Sequence, residues 1–125
     1  MKRAIIIGAT SGIGNQLAKT LAKNGYKVGI TGRRKTELEK LQQSKPDNYE
    51  ISPFDCATEN NAEKLSELTK KIGGLDLLIL SSGTGDLNEG LDFEIEHRTN
   101  LLNVNAFTEI VDWAINYFEK QKKDI

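Results

Sequence analysis

Apolar residues follow two alternating rhythms along the chain. Runs of strand length occur at residues 4–8 (AIIIG), 27–31 (KVGIT), 49–54 (YEISPF) and 75–80 (LDLLIL). Between them apolar positions return every third or fourth residue, the spacing of one helix face. The first intervening stretch aligns Ile13, Leu17, Leu21 and Ala22 and closes at Asn24-Gly25, where glycine can adopt the left-handed conformation that ends a helix. The second runs from Lys35 to about Ser44, turns Leu38 and Leu41 inward, and cannot pass Pro46. The third starts with Thr58 as N-cap, carries Ala62, Leu65, Leu68 and Ile72, and stops at Gly73-Gly74. A polar, glycine-bearing loop at 81–90 then leads into a long helix over 93–121, with a stripe of Leu101, Val104, Phe107, Val111, Ala114 and Phe118 that frays into EKQKKDI. This is a βαβ rhythm. Near-continuous apolar strands such as LDLLIL predict a parallel sheet covered on both faces, because an antiparallel sheet with a wet face would alternate.

Length and composition narrow the class. A chain of 125 residues with 38% hydrophobic and 28% charged residues, and no repeat or interior linker, reads as one soluble globular domain over 1–125. The net charge of -1 comes from 17 basic and 18 acidic residues spread along the chain, which leaves no basic stripe for a nucleic acid or an anionic membrane. The opening MKRAIIIG is too short in apolar residues for a signal-peptide core, so a cytoplasmic location is expected. Cys56 is the single cysteine, so no internal disulfide can form, and its expected place is small and buried. His97, the single histidine, has no companion at ligand spacing; it is expected to be exposed, and no metal site is expected.

The chemistry-bearing signal is IIIGATSGIG at 5–14. Gly8, Gly12 and Gly14 follow a strand and open a helix, the context in which such spacing has meaning. Gly8 would let the chain turn off the strand, Gly12 would let a phosphate approach the backbone, and Gly14 would let the helix pack on the sheet. The helix N-terminus would offer free N–H groups and partial positive charge to a pyrophosphate. The plainer alternative is a tight strand-to-helix turn with no ligand. Ser11 could donate to a phosphate or cap the helix, and Ile13 could touch a cofactor or the core.

The stretch GATSGIG resembles the glycine motif of the short-chain dehydrogenase/reductases, and the resemblance extends along the chain at that family's order and spacing. One departure is Ile7, where the family usually has threonine. The resemblance implies an α/β, Rossmann-type parallel sheet of order 3-2-1-4 with helices on both faces and a cofactor cleft where the strand order reverses. It also implies cofactor contacts from Gly8, Thr10, Ser11, Gly12, Ile13 and Gly14.

The end of the second strand bears on which dinucleotide is bound. About twenty residues past the glycine loop an NAD site places an acid on the ribose 2'-hydroxyl. This chain has TGRRK there, with Gly32 at the acid's place and Arg33 and Arg34 suited to a 2'-phosphate. NADP is therefore expected in preference to NAD. The alternative is a solvated basic start to the second helix, although cations there oppose the helix dipole. By resemblance, Asp55 would accept from the adenine amine beside the Cys56 N–H; otherwise Asp55 would cap the next helix. Ser81-Ser82-Gly83 stands where the family has Asn-Ala-Gly, implying backbone contact with the nicotinamide ribose. LLNVNAF resembles the segment bearing the family's catalytic asparagine; Asn100, Asn103 and Asn105 compete for that place, and Asn103 fits best. Trp113 and Phe118 are expected to pack, on a helix that in this family often lies in a subunit interface.

The family's catalytic tyrosine, with a lysine four residues on that favours its ionised form, has no match. Tyr26 is followed at that spacing by Ile30, Tyr49 by Pro53 and Tyr117 by Gln121, and no strand bearing the family's serine follows. The expectation is the cofactor-binding half of an NADP-dependent oxidoreductase acting on a carbonyl or alcohol, truncated relative to the family and inactive alone. The alternative is a non-catalytic nucleotide-binding module or an inactive fragment. An uncovered LDLLIL edge, or the long helix, is expected to drive homo-oligomerisation.

Overall fold

Isoleucines at 5, 6 and 7 set the architecture, because successive strand side chains point to opposite faces. In the structure, a computed structural model describing residues 1–10, 12–56, 60–81, 94 and 105–123, Ile5 and Ile7 join one apolar cluster and Ile6 the other. All three are wholly buried, as a strand covered on both sides requires. The described elements run β1 (Arg3–Ile7), α1 (Gly12–Lys23), β2 (Lys27–Gly32), α2 (Lys35–Ser44), β3 (Tyr49–Pro53), α3 (Asn61–Ile72), β4 (Leu77–Leu80) and α4 (Phe107–Lys123). The four strands form one parallel sheet in the order β3-β2-β1-β4, with Arg3 opposite Lys27, Ala4 opposite Leu77 and Val28 opposite Tyr49. Helices α1 and α2 cover the Ile6 face with Ala18, Ala22, Leu38 and Leu41. Helices α3 and α4 cover the other with Leu65, Leu68, Ile72 and Ile110.

Several boundaries and faces differ from the sequence expectation, each for a local reason. Helix α3 starts at Asn61, three residues beyond the expected Thr58, because Asn60 takes the cap and accepts from the Glu63 N–H at 3.1 Å. Thr58 itself lies outside the described residues. Strand β4 begins at Leu77 rather than Leu75, since Asp76 is occupied with Arg3: its carboxylate accepts the Arg3 N–H at 2.8 Å and its own N–H donates to the Arg3 carbonyl at 2.8 Å.

On α1 the buried side is Gly14, Ala18 and Ala22, with Leu17 and Leu21 flanking, whereas Ile13 is 74% exposed. The helix lies so close to the sheet that only small residues fit beneath it. Along α4 and the residue before it the buried side chains are Ala106, Ile110 and Ala114, and Phe107, expected in the stripe, is 51% exposed. Contacts with α3 set that frame: Glu109 accepts from the Ala62 N–H at 3.0 Å and the Trp113 indole donates to Ser66 at 3.1 Å. Leu101 and Val104 lie outside the described residues. The helix also continues through Lys123 instead of fraying from Glu119, because Glu, Lys and Gln are good helix formers and nothing there breaks the pattern.

Tyr49 ties β3 to the sheet-facing side of α1. Its side chain is buried and its hydroxyl donates to the Ala18 carbonyl at 3.2 Å. Burial pushes the phenol up from 10.0, because the phenolate would lose its solvation. The folded protein therefore holds this proton more tightly than the unfolded chain, so the contribution is complete below pH 10 and is lost as pH rises through the folded value. Tyr49→Phe is expected to cost about 1 kcal/mol at neutral pH. It is also expected to flatten the alkaline loss of stability, as urea midpoints at about pH 7 and about pH 10.5 will show.

Candidate functional site

The four parallel strands deliver their C-terminal ends to one edge. After β1 the chain leaves the sheet at Gly8, whose N–H and that of Ala9 both donate to the Thr31 carbonyl, at 3.2 and 2.9 Å. The Asn15 side chain donates back to the Ala9 carbonyl at 3.2 Å, so the turn is pinned from β2 on one side and from α1 on the other. Beyond β4 the Ser81 N–H reaches the Ile7 carbonyl at 2.8 Å, and beyond β3 the Phe54 N–H reaches the Gly32 carbonyl at 3.0 Å. The strand order reverses between β1 and β4, where parallel α/β sheets open a crevice for ligands.

The two later glycines of the loop do different jobs. A Cβ on Gly14 would fall on the carbonyl oxygen of Gly8, so the start of α1 touches the backbone of the turn before it. Gly12 has φ +64 and would meet nothing within 4 Å, so it stands at an open helix N-terminus. No acidic residue occupies the first turn of α1, and the N–H groups there have no helical partners by geometry. With Ile13 exposed beside it, this helix start has the open donors and partial positive charge that suit an anion.

At the end of β2, Gly32 is half-buried and Arg33 and Arg34 are exposed. An Arg34 guanidinium nitrogen lies 3.5 Å from the Thr10 hydroxyl. Arg34 also precedes α2 at its cap position without a side-chain cap bond. The basic start of α2 has partial compensation of its own: Glu37 lies in its first turn, and Lys35 sits 4.0 Å from Glu39. A cleft of about 370 Å³ opens between α1 and α2, with Thr10 on its wall and Lys19, Glu37 and Lys40 around it.

The remaining expected residues fall on the same edge where they are described. Asp55 and Cys56 are half-buried just past β3. The N-cap of α3 is Asn60. Cys56 packs against the α3/α4 cluster. Ser81 is half-buried at the end of β4. Ser11, Ser82, Gly83, Asn100, Asn103 and His97 lie outside the described residues, and Asn105 is exposed at the entry to α4.

Three polar residues were not anticipated from the sequence. Asn15 and Thr31 brace the glycine turn, and Asn61, buried, donates to the Cys56 carbonyl at 3.0 Å. Asparagines at helix starts signal capping in general, but nothing in the sequence pairs these with a particular carbonyl.

Comparison with known proteins agrees with this fold. The sequence model of the family described as short chain dehydrogenase matches residues 2–123. An uncharacterized oxidoreductase of Staphylococcus saprophyticus is 35% identical over 112 residues, covering 83% of this chain and 47% of that protein. Among solved structures, a 3-ketoacyl-(acyl-carrier-protein) reductase from Brucella melitensis complexed with NADH superposes with a TM-score of 0.83 at 26% identity, covering 98% of this chain and 52% of that one. The glucose dehydrogenase of Caenorhabditis elegans does so with a TM-score of 0.79 at 30% identity, covering 97% and 51%. The chain spans about half the length of the curated relatives it matches.

Proposed function

Because the chain belongs to the short-chain dehydrogenase family, we propose that it binds NADP(H) for hydride transfer between the cofactor and a carbonyl or alcohol substrate of the whole protein. The observation that carries the reading is the open, acid-free start of α1 at Gly12, with Arg33 and Arg34 at the end of the neighbouring strand. The cofactor, when bound, supplies or accepts the hydride. The chain's own residues bind and orient it: N–H groups from Gly12 onward take the pyrophosphate, and Arg33 and Arg34 take the 2'-phosphate. Asp55 accepts from the adenine amine, and Ser81 at the end of β4, with Ser82 and Gly83 next in sequence, matches the family's contact with the nicotinamide ribose. Asn103 is the residue of the family's active site carried by these residues.

Binding and turnover should separate in this chain. No Tyr-x-x-x-Lys occurs in residues 1–125, and Tyr49 is committed to the core. Calorimetric titration is expected to show NADPH binding more tightly than NADH, with no carbonyl reduction by these residues alone. Absence of heat with either dinucleotide overturns the reading. The Brucella reductase was solved with NADH; in this chain Arg33 and Arg34 favour a 2'-phosphate.

Self-association is part of the same proposal, with a second copy as the partner. On the outer side of α4, Phe107 and Ile115 are 51% and 54% exposed, and Leu77 on the β4 edge is 37% exposed. Apolar area of this kind on a helix face and an edge strand favours burial between copies. Light scattering is expected to show a dimer that Ile115→Lys shifts toward monomer.

A further inference from the structure

Gly32 lies outside the left-handed region of backbone conformation, so the main chain places no demand for glycine there. What a side chain would meet is Thr10. A Cβ at position 32 would sit 2.5 Å from Thr10 Cγ2, but 3.6 Å from its Cβ and 3.7 Å from its Oγ1. The obstruction is a single methyl group. Threonine's branched Cβ leaves few χ1 choices. The hydroxyl on the same carbon faces the Arg34 guanidinium at 3.5 Å. Swinging the methyl away from position 32 therefore carries the hydroxyl away from Arg34. Position 32 and the orientation of Arg34 are coupled through one short side chain.

We propose that Thr10 is a specificity-determining residue, whose methyl keeps position 32 free of a side chain while its hydroxyl positions Arg34, so that a dinucleotide bearing a 2'-phosphate is taken over one bearing a 2'-hydroxyl. The inference rests on the NADP(H) reading above and adds a claim that reading does not make. Gly32→Asp by itself, although it supplies an acid for the 2'-hydroxyl, does not create a good NADH site, because the new Cβ strikes Thr10. The methyl must be removed first, and Thr10→Ser does that while keeping the hydroxyl.

The test is a pair of double-mutant cycles on this chain. In the first, NADH and NADPH are titrated into wild type, T10S, G32D and T10S/G32D. The gain in NADH affinity from G32D is expected to be about tenfold larger in the T10S background than in the wild-type background. An equal gain in both backgrounds overturns the proposal.

The second cycle needs no nucleotide and measures melting temperature. Gly32→Ala is expected to lower Tm by about 4 °C with Thr10 present and by no more than about 1 °C with T10S. The same loss in both backgrounds shows that the methyl does not guard position 32, and overturns the proposal even if NADPH binds. If wild type binds neither dinucleotide, the NADP(H) reading fails and the specificity claim with it, while a coupled Tm cycle would identify the contact as packing alone.

Discussion

Gly14→Ala is expected to cost about 3 kcal/mol or more of stability, the upper end for a methyl forced into a filled site. The added carbon has no flexible neighbour to displace, since it lands on the Gly8 carbonyl oxygen. Gly8 cannot retreat, because its N–H and that of Ala9 are both held on the Thr31 carbonyl of β2. Relief requires α1 to lift from the sheet, which would uncover Ala18 and Ala22, both buried in the cluster with Ile6 and Val28.

Gly12→Ala is expected to behave in the opposite way. Its φ of +64 imposes a strain of about 1 kcal/mol on alanine, yet the new methyl enters open space and the fold survives. That space is where the pyrophosphate is proposed to sit, so NADPH affinity is expected to fall by about tenfold or more, one methyl blocking one charge-assisted contact. Urea midpoints and NADPH titrations on the two variants check both halves. If the motif were only a tight turn, Gly12→Ala would bind NADPH as wild type does.

How much of this was legible in the sequence follows from how local each cause is. Strand runs, the stop at Gly25 and the barrier at Pro46 depend on a few adjacent residues, and the strands, helix order and sheet order follow the expectation. The face a helix buries depends on how near it lies to its neighbour. Periodicity placed Ile13 inward because it is apolar, but a helix in backbone contact at Gly14 buries alanines and turns its larger residues aside. Phe107 was misplaced for a related reason: Glu109 and Trp113 lock α4 to α3 in a frame set by Ala62 and Ser66, residues far away in sequence.

The site shows the same division. The glycine loop and the arginines are readable as short motifs, whereas the bracing by Asn15 and Thr31 arises only after folding. The blank at Gly32 is instructive. In sequence it reads as a missing acid, and in the structure it is also a position closed by Thr10.

Arg33→Ala/Arg34→Ala is expected to weaken NADPH binding by about 100-fold, one charge-assisted contact from each guanidinium, and to leave NADH within about twofold. Two further signatures separate this from the alternative of a solvated basic helix start. The preference for NADPH over NADH should shrink as salt rises, because exposed cations attract a 2'-phosphate through a screened field. The variant should also stay within about 0.5 kcal/mol of wild type in stability, since relief of two cations opposing the α2 dipole offsets loss of the exposed Arg34–Thr10 contact, so a large fall in NADPH affinity would not be a folding defect. A helix start tuned for folding alone would not place two arginines against its own dipole. With Lys35 beside Glu39 and Glu37 in the first turn, the carboxylates of α2 compensate part of that charge, and a bound phosphate would supply the rest. If the double variant keeps its NADPH affinity, the arginines belong to the solvated face of α2 and the preference for NADP falls with them.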